Sequence, residues 1–492
     1  MNGLRTTTVL LSLTLGALAL FALSTLAPTS SAQSPPPAAT GAGAGGQGLI
    51  GTVTVNGSAP TGGTCAPEAL PKIGVVPLIT QGNEDALLQL IVHRDMDLSG
   101  QYDVIADAKV PDGPFTRNTI LDLKAWRKKD AEYVLRVYAN VKPVTAPQSG
   151  AAAAAPNVEV IGEVYATPPK ETGPAAAVDG GADGVSLPPL VAPKPVYRTK
   201  LDTTPAQIRL TAHRLSDALL GALTGTPGAF ASQIVYSGRV GQGTSREAFL
   251  IDSDGFNLHG FGPSNQTAMS PSFGPNGDVY YALSNNYGPY ALVHGPSATP
   301  VPLNVHGSVM NFAWNDDHTK LAYDVFERGD SHVYVADAQG NGANMVSGNV
   351  PLAHHPAFGP GGIVAYVGGA GAQQVFVGSK PVSPATMAAA PTICDTPSGT
   401  LVIYAVGWGS NATLMASDTD GARIHALATM GGGNYPACSP DGRLIAFFSY
   451  NTAGAGPGLY VTPIAHPCNA KKISSEVGES MDWEAIPASG AR

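Results

Sequence analysis

Charged residues are scarce in this sequence. Only 13% of the 492 residues are charged, against about 25% in an average soluble protein, and acidic residues outnumber basic ones by 36 to 27. Residues 124–129 contain the main basic cluster. Nucleic-acid binding needs a concentrated Lys/Arg face that neutralises phosphates. We therefore expect no nucleic-acid partner.

Cysteine is also scarce. The four cysteines are too few for a disulfide scaffold, and their spacings match no zinc site. We predict no metal, no cofactor and no catalytic residue.

An oxidising compartment would allow one or two disulfide bridges. Cys394 and Cys438 could approach each other on neighbouring strands, but Cys468 competes for Cys438 and Cys65 is also available, so the pairing stays open.

Long apolar runs are lacking after the first 26 residues. Residues 9–26 follow the positive charge of Arg5 and precede a small-x-small cleavage motif, Ser30-Ser31-Ala32. This pattern predicts a signal peptide over residues 1–32 and a soluble, exported protein with no membrane span after cleavage. An uncleaved membrane anchor is the alternative, since about 18 residues is near the short limit for a span.

Glycine and proline, in contrast, are abundant, with 59 and 42 residues. They favour turns over long helices, while a hydrophobic fraction of 43% still supplies real cores. Residues 33–48 are almost entirely Pro, Ala, Gly and Ser, which predicts a flexible leader.

Residues 49–230 alternate between strand and helix patterns, which predicts an α/β domain. Low-complexity inserts at 145–156 and 168–195 are predicted to be surface loops outside the core. The predicted strands are 73–78, 102–106, 133–141, 158–166 and 196–201, and the predicted helices are 83–98, capped by Asn83, and 118–131.

A third helix is predicted to begin at Thr204, with Pro205 at its first position. It carries one apolar stripe that should pack on the sheet, and Gly225 should end it. The stripe consists of Ile208, Ala212, Leu215, Leu219 and Ala222. His213 on this helix reads as a structural or interdomain histidine, not a catalyst.

From residue 231 onward the helical periodicity disappears and a repeat of about 42 residues replaces it. Each repeat is aligned on one residue, called the anchor, which in most repeats follows a proline by two positions and precedes a tight turn and two apolar strands. The anchors are Phe273, Trp314, Phe358, Ile393, Cys438 and Trp483. Short-strand repeats of this length are typical of β-propeller blades.

The last repeat supplies only one strand, and the strands missing from it stand at 233–237 and 248–251. Pairing both ends of residues 231–492 within one sheet would close a six-bladed β-propeller. The predicted fold class is therefore an α/β N-terminal domain followed by an all-β six-bladed β-propeller. The acidic turns at 252–255 and 418–421 read as turns, because no Glu follows at calcium-loop spacing.

Several segments resemble the TolB family of bacterial periplasmic proteins. The sharpest are IGVVPL at 73–78, LSG at 98–100, AHRLSD at 212–217 and LTG at 223–225, whereas SPDGRL at 439–444 is shared with many propellers. The resemblance implies a Tol-Pal component that serves outer-membrane integrity and constriction during cell division. It also implies binding of the peptidoglycan-associated lipoprotein Pal at the channel mouth and of TolA through the extreme N-terminus. We expect a monomer.

Residues just before each anchor should form a ring at one mouth of the channel, where the family receives Pal. They are Thr267, Met269, His306, Ser308, Met310, His354, His355, Asn434, Tyr435 and Glu479. A metal-binding or basic role for His354 and His355 is disfavoured, because adjacent strand residues face opposite sides.

The enzyme alternative lacks a motif. Propeller-bearing serine hydrolases carry Gly-x-Ser-x-Gly on a separate domain, and residues 243–247 miss this pattern at the last position. We expect a binding protein and no enzyme. The remaining alternatives are a propeller that binds another envelope protein or a glycan, and a hydrolase or lyase with carboxylates in the channel.

Overall fold

The computed structural model describes residues 66–79, 82–142, 157–170, 192–240, 245–264, 266–284, 288–427, 432–452 and 454–487. The predicted signal peptide, the leader, Cys65, the insert at 145–156 and most of the insert at 168–195 lie outside the described residues.

The first described region is a five-stranded sheet with three helices. Its order is β2-β1-β3-β4-β5, in which β1 runs parallel to β2 and β3 and the other pairs are antiparallel. The elements are β1 Lys72–Val75, α1 Asn83–Leu98, β2 Asp103–Val104, α2 Leu123–Lys128, β3 Ala131–Lys142, β4 Asn157–Ala166, β5 Tyr197–Thr203 and α3 Ile208–Thr224.

The predicted helix at 83–98 is confirmed, but Gly82 and not Asn83 occupies its N-cap position. The prediction of a helix over 118–131 is wrong. The side chain of Asp122 accepts hydrogen bonds from the backbone N–H groups of Lys124 and Ala125, so α2 begins only at Leu123. It ends before Ala131, because that residue is already paired in β3.

The third helix differs from its prediction at the start. A single 3-10 turn, Pro205–Gln207, precedes α3, and the Thr204 side chain makes no capping bond. Gly225, with φ 84°, ends the helix as predicted. Most of the apolar stripe is buried against the sheet, while Ala222 is exposed.

Helices α1 and α3 contact each other and one face of the sheet, and α2 packs near the other face, with Trp126 in the core. No helix in the described ranges is long and apolar enough to cross a membrane.

The second region is a β-propeller made of short antiparallel strands. Its sheets are one of eight strands (β6–β12 and β29) and four of four strands (β13–β16, β17–β20, β21–β24 and β25–β28). The strands are β6 Ser232–Arg239, β7 Arg246–Asp252, β8 His259–Phe261, β9 Thr267–Phe273, β10 Val279–Ser284, β11 Ala291–His294, β12 Thr299–Pro300, β13 Phe312–Trp314, β14 Lys320–Glu327, β15 Asp330–Asp337, β16 Asn344–Met345, β17 His354–Gly359, β18 Ile363–Gly368, β19 Gln374–Val377, β20 Lys380–Pro381, β21 Ala388–Thr396, β22 Gly399–Val406, β23 Thr413–Asp418, β24 His425–Ala426, β25 Asn434–Cys438, β26 Leu444–Ser449, β27 Gly458–Pro463, β28 Lys471–Ser474 and β29 Gly478–Ala485.

Each predicted anchor lies in a strand that packs against the equivalent strands of its two neighbours, so these strands form a closed ring. We call them the inner strands, and they are β9, β13, β17, β21, β25 and β29. The predicted closure is also observed: β29 pairs with β6 from Gly478 opposite Gly238 to Ala485 opposite Ser232. The chain end and the start of the propeller therefore share one sheet.

The α/β region and the propeller share one hydrophobic cluster, which includes Ile91 and Leu215 on one side and Phe448 and Trp483 on the other. Ion pairs add to this contact, which we call the junction. Lys471 Nζ lies 2.6 Å from Asp97 Oδ1. The two regions are thus joined by packing and by charge.

Candidate functional site

The inner strands enclose a cavity of about 470 Å³ along the propeller axis. Every inner strand contributes to its lining, which runs from the middle of the strands to the ends that carry the anchors. Asp316, His318 and Glu484 line the anchor end, where His318 Nε2 lies 3.3 Å from Glu484 Oε2.

The inner strands share an unusual backbone conformation three residues before the anchor. Five non-glycine residues there have φ between 46° and 51°, and the strand register is interrupted at each of them. They are Ser270, His355, Ala390, Tyr435 and Ser480, and all of them line the cavity.

Proline explains most of these interruptions. It follows the left-handed residue in four of the five strands, and because proline has no N–H to donate to a strand ladder, it favours a bulge. The recurring proline before the anchor was therefore the sequence signal for this ring.

A buried carboxylate, Asp324 on β14, ties two inner strands together. It accepts hydrogen bonds from the backbone N–H groups of Met310 (3.0 Å), Asn311 (2.9 Å) and His355 (3.2 Å) and from the Asn311 side chain (2.6 Å). Ser270 Oγ donates to Asn311 Oδ1 at 2.7 Å, which extends the network to a third inner strand. Burial raises the pKa of Asp324 above its usual value, and these donors offset only part of that rise.

Asp482 on β29 makes a similar link at the closure of the ring. It accepts hydrogen bonds from Ser272 Oγ at 2.8 Å and from the Phe273 backbone N–H at 2.9 Å, both on the neighbouring inner strand β9. Burial is the main cause that raises the pKa of this carboxyl, and nearby Glu484 adds to the effect.

The predicted mouth residues lie where the inner strands begin, at the end opposite the anchors, or in the segment that leads into β13. Two of them, His355 and Tyr435, also line the cavity. His306 is exposed, while Asn434 is buried and donates to the Gly409 carbonyl at 2.9 Å. Partly buried members of the set are Thr267, Met269, Ser308, Met310, His354, His355, Tyr435 and Glu479.

The two adjacent histidines do not face opposite sides, which corrects the expectation from strand alternation. Their ring centroids lie 5.2 Å apart in an edge-to-face arrangement. The left-handed conformation of His355 breaks the alternation of side chains at this point. The two rings therefore pack together.

Electrostatics divides the mouth residues into two kinds. Burial, together with a smaller effect of neighbouring His354, lowers the pKa of His355 to about 3, so the His355 imidazole is neutral at pH 7. Burial also raises the pKa of Tyr435 to about 12. Glu479 Oε1 lies 2.7 Å from Arg246 NH2. These groups contact other residues of the propeller, whereas His306 is exposed.

Two exposed apolar side chains at the same end were missed by sequence reasoning. Trp408 is 55% exposed and Met387 is 50% exposed, and the backbone joins their segments through a hydrogen bond from Gly407 N to Met387 O at 3.1 Å. Trp408 lies in the loop after β22, whose pairing with the inner strand β21 ends at Ala388 opposite Val406.

The cysteine pairing left open by the sequence is decided by the structure. Cys394 and Cys438 form a disulfide between the neighbouring inner strands β21 and β25, with Cα atoms 5.7 Å apart. Cys468 is also disulfide-bonded.

Comparisons with known proteins agree with this architecture. The family model for the TolB beta propeller domain matches residues 220–479, and the model for the TolB amino-terminal domain matches residues 65–145. The chain belongs to the TolB family.

Curated relatives carry the name Tol-Pal system protein TolB. The chain is 26% identical over 211 residues to the protein of Methylococcus capsulatus, which covers 42% of this chain and 41% of the relative. It is 27% identical over 228 residues to the protein of Actinobacillus succinogenes, 46% of each chain. The chain thus spans less than half the length of these relatives.

The structure is similar to the crystal structure of TolB from Acinetobacter baumannii, with a TM-score of 0.63 and 18% identity. The similarity covers 85% of this chain and 97% of that one. It establishes a shared fold.

Proposed function

We propose that this chain is a periplasmic, protein-binding component of a Tol-Pal system. The observation that carries the proposal is the match of both family models, in the order and at the places where the two regions of the fold lie. We infer a role in outer-membrane integrity and in envelope constriction during division, which the family resemblance implies.

We also infer that the propeller has six blades. The eight-stranded sheet is held together across its middle by one parallel pair, Arg246 opposite Thr267. Division at that pair leaves two units of four strands, each with its own inner strand, and the other sheets supply four more.

The proposed partner is a Pal-like lipoprotein, which binds at the end where the inner strands begin. Support comes from the contacts that hold that end: Asp324 accepts hydrogen bonds from Met310 and His355, and residues held in this way lose little entropy when a partner binds. His306, Trp408 and Met387 offer exposed polar and apolar contacts there. TolA is a second proposed partner, through residues before the described chain, and the protein acts as a monomer.

His355 is poorly suited to act as a general base in the channel. The His355 imidazole is neutral and enclosed, and its Nδ1 has no hydrogen-bond partner among the described residues. A general base needs a partner that orients it and a proton within reach.

Calorimetric titration of residues 33–492 with the soluble domain of the host's Pal-like lipoprotein tests the proposal. We expect saturable binding, weakened about tenfold or more in the double variant His306→Glu/Trp408→Ala. Leu90→Ala is the matched control, since Leu90 is 58% exposed on α1, away from the channel.

Three outcomes would contradict the proposal. They are no heat from a folded protein, equal binding by the double variant, and a carboxylate-dependent bell-shaped pH profile for cleavage of peptidoglycan or polysaccharide. The last would favour the channel enzyme.

A further inference from the structure

Three ligand-type side chains from three different elements meet at the junction. Asp95 comes from α1, His213 from α3 and Asp254 from the turn after β7, and all three are buried. One ligand atom of each lies within 4.8 Å of those of the other two. We call these residues the junction cluster.

Hydrogen bonding satisfies this cluster only in part. His213 Nδ1 lies 2.9 Å from Asp95 Oδ2, but His213 Nε2 is 3.9 Å from Asp254 Oδ2, beyond hydrogen-bond distance. Within the described residues, neither His213 Nε2 nor Asp95 Oδ1 has a hydrogen-bond partner. Unpaired buried polar atoms are costly, so each of them needs a physical explanation.

Several ionisable groups surround the cluster. Four carboxyl groups and two guanidinium groups lie around it, and burial raises the pKa of Asp95 and that of Asp217, the latter to about 7. Arg209 pairs with Asp252 and Asp254, and Arg94 donates to the Asp254 carbonyl oxygen. The carboxylates are Asp95, Asp217, Asp252 and Asp254.

We propose that Asp95, His213 and Asp254 bind a divalent transition-metal ion of the zinc class at the junction. Zinc accepts imidazole nitrogen and carboxylate oxygen at about 2.0–2.2 Å in a tetrahedral arrangement, so its ligand atoms lie roughly 3.4 Å apart. The ligand atoms of the cluster lie within 4.8 Å of one another, so they would move closer by roughly 1 Å when the ion binds. An ion would also use the unpaired atoms His213 Nε2 and Asp95 Oδ1.

The sequence does not reveal this site. The three ligands are separated by more than a hundred and by about forty residues, so no metal-binding spacing exists along the chain. The acidic turn that contains Asp254 reads as an ordinary turn until α3 and α1 are packed against it. The ion would join α1 and α3 to the propeller. This role is separate from the partner binding proposed above.

Metal titration of the full mature chain tests the proposal. After treatment with a chelator, we expect one equivalent of Zn²⁺ to bind and to raise the Tm, because an ion that binds only the folded state stabilises it. With Co²⁺ as a spectroscopic probe, we expect ligand-field bands of a site that contains one imidazole. His213→Gln and Asp254→Asn should each weaken Zn²⁺ binding by roughly 100-fold.

His259→Gln is the matched control, because His259 is exposed on β8 of the same sheet and should leave Zn²⁺ binding unchanged. X-ray absorption of the Zn²⁺-loaded wild-type chain needs no variant, so it keeps the test decisive if the variants do not fold. Absence of a bound equivalent, or equal binding by His213→Gln, would overturn the proposal. An NMR titration in which the His213 ring takes up a proton and shows no effect of Zn²⁺ would also overturn the proposal.

Discussion

Single buried polar residues hold neighbouring blades of the propeller together. Asp324 joins two inner strands through three backbone N–H groups. Asp482 joins β29 to β9 through the Ser272 hydroxyl and the Phe273 backbone N–H, where the ring closes. A buried carboxylate with several donors is well satisfied, whereas its removal would leave those donors unpaired. Sequence periodicity places both residues in strands, but their partners come from other blades, which periodicity does not report.

The neutral imidazole of His355 makes the stability of the protein depend on pH. The pKa is about 3 in the folded chain and roughly 6.5 in an unfolded chain. Between these pH values the unfolded state binds more protons, so the free energy of unfolding falls as the pH is lowered. This contribution is present above about pH 6.5 and is lost toward pH 3.

When the pH is lowered from 6 to 5, we expect the free energy of unfolding of the wild type to fall by about 1 kcal/mol more than that of the His355→Asn variant. Urea denaturation at the two pH values measures this difference. His306→Asn is the control, because His306 is exposed. The same pH dependence in the wild type and His355→Asn would contradict the assignment.

The repeating turn between the first and second strands of a blade is the clearest feature at the scale of elements. Asn276, Gly361 and Gly442 occupy its left-handed position, with φ of 62°, 69° and 67°. The sequence predicts these turns correctly, because Asn and Gly tolerate positive φ. It does not report that Gly442 also lies against the backbone of the preceding blade.

Gly442→Ala should therefore cost more than the equivalent change in another blade. A Cβ atom at residue 442 would collide with the carbonyl oxygen of Asp395, whereas one at Gly361 meets nothing within 4 Å. We expect Gly361→Ala to lower the free energy of unfolding by about 1 kcal/mol and Gly442→Ala by at least about 2 kcal/mol. Chemical denaturation measures both, and equal losses would contradict the close approach.

Helix ends illustrate the limits of local patterns at the same scale. The sequence favours a helix over 118–131, yet Asp122 caps a much shorter one and Ala131 pairs in β3. A strand partner that is distant in sequence thus overrides local helix propensity.

Closure of the ring is a property of the whole molecule. β29 is the last strand of the described chain, and it pairs with β6, the first strand of the propeller, with Trp483 buried beside it. This sheet stabilises both ends of the propeller at once, so the ring gains stability only when the full chain is present.

Removal of residues 478–492 should abolish cooperative unfolding. The truncated chain loses an inner strand, its pairing with β6 and the Asp482 link, and a typical domain has only roughly 5–15 kcal/mol of stability to lose. We expect no sharp thermal transition and an expanded or aggregated species by size-exclusion chromatography. A chain that lacks only residues 488–492, which follow β29, should unfold as the wild type does. A sharp thermal transition in the chain that lacks residues 478–492 would contradict the closure argument.

The sequence by itself determined the order of the two regions, the anchors of the inner strands, the turns and the shared sheet at the chain ends. Each of these follows from a local pattern, either the period of apolar residues or the conformational limits of glycine and proline. Only the tertiary structure decided the Cys394–Cys438 pair, the packing of His354 on His355, the network of Asp324 and the meeting of Asp95, His213 and Asp254. These contacts join residues from different elements, and no spacing along the chain encodes the distance between them.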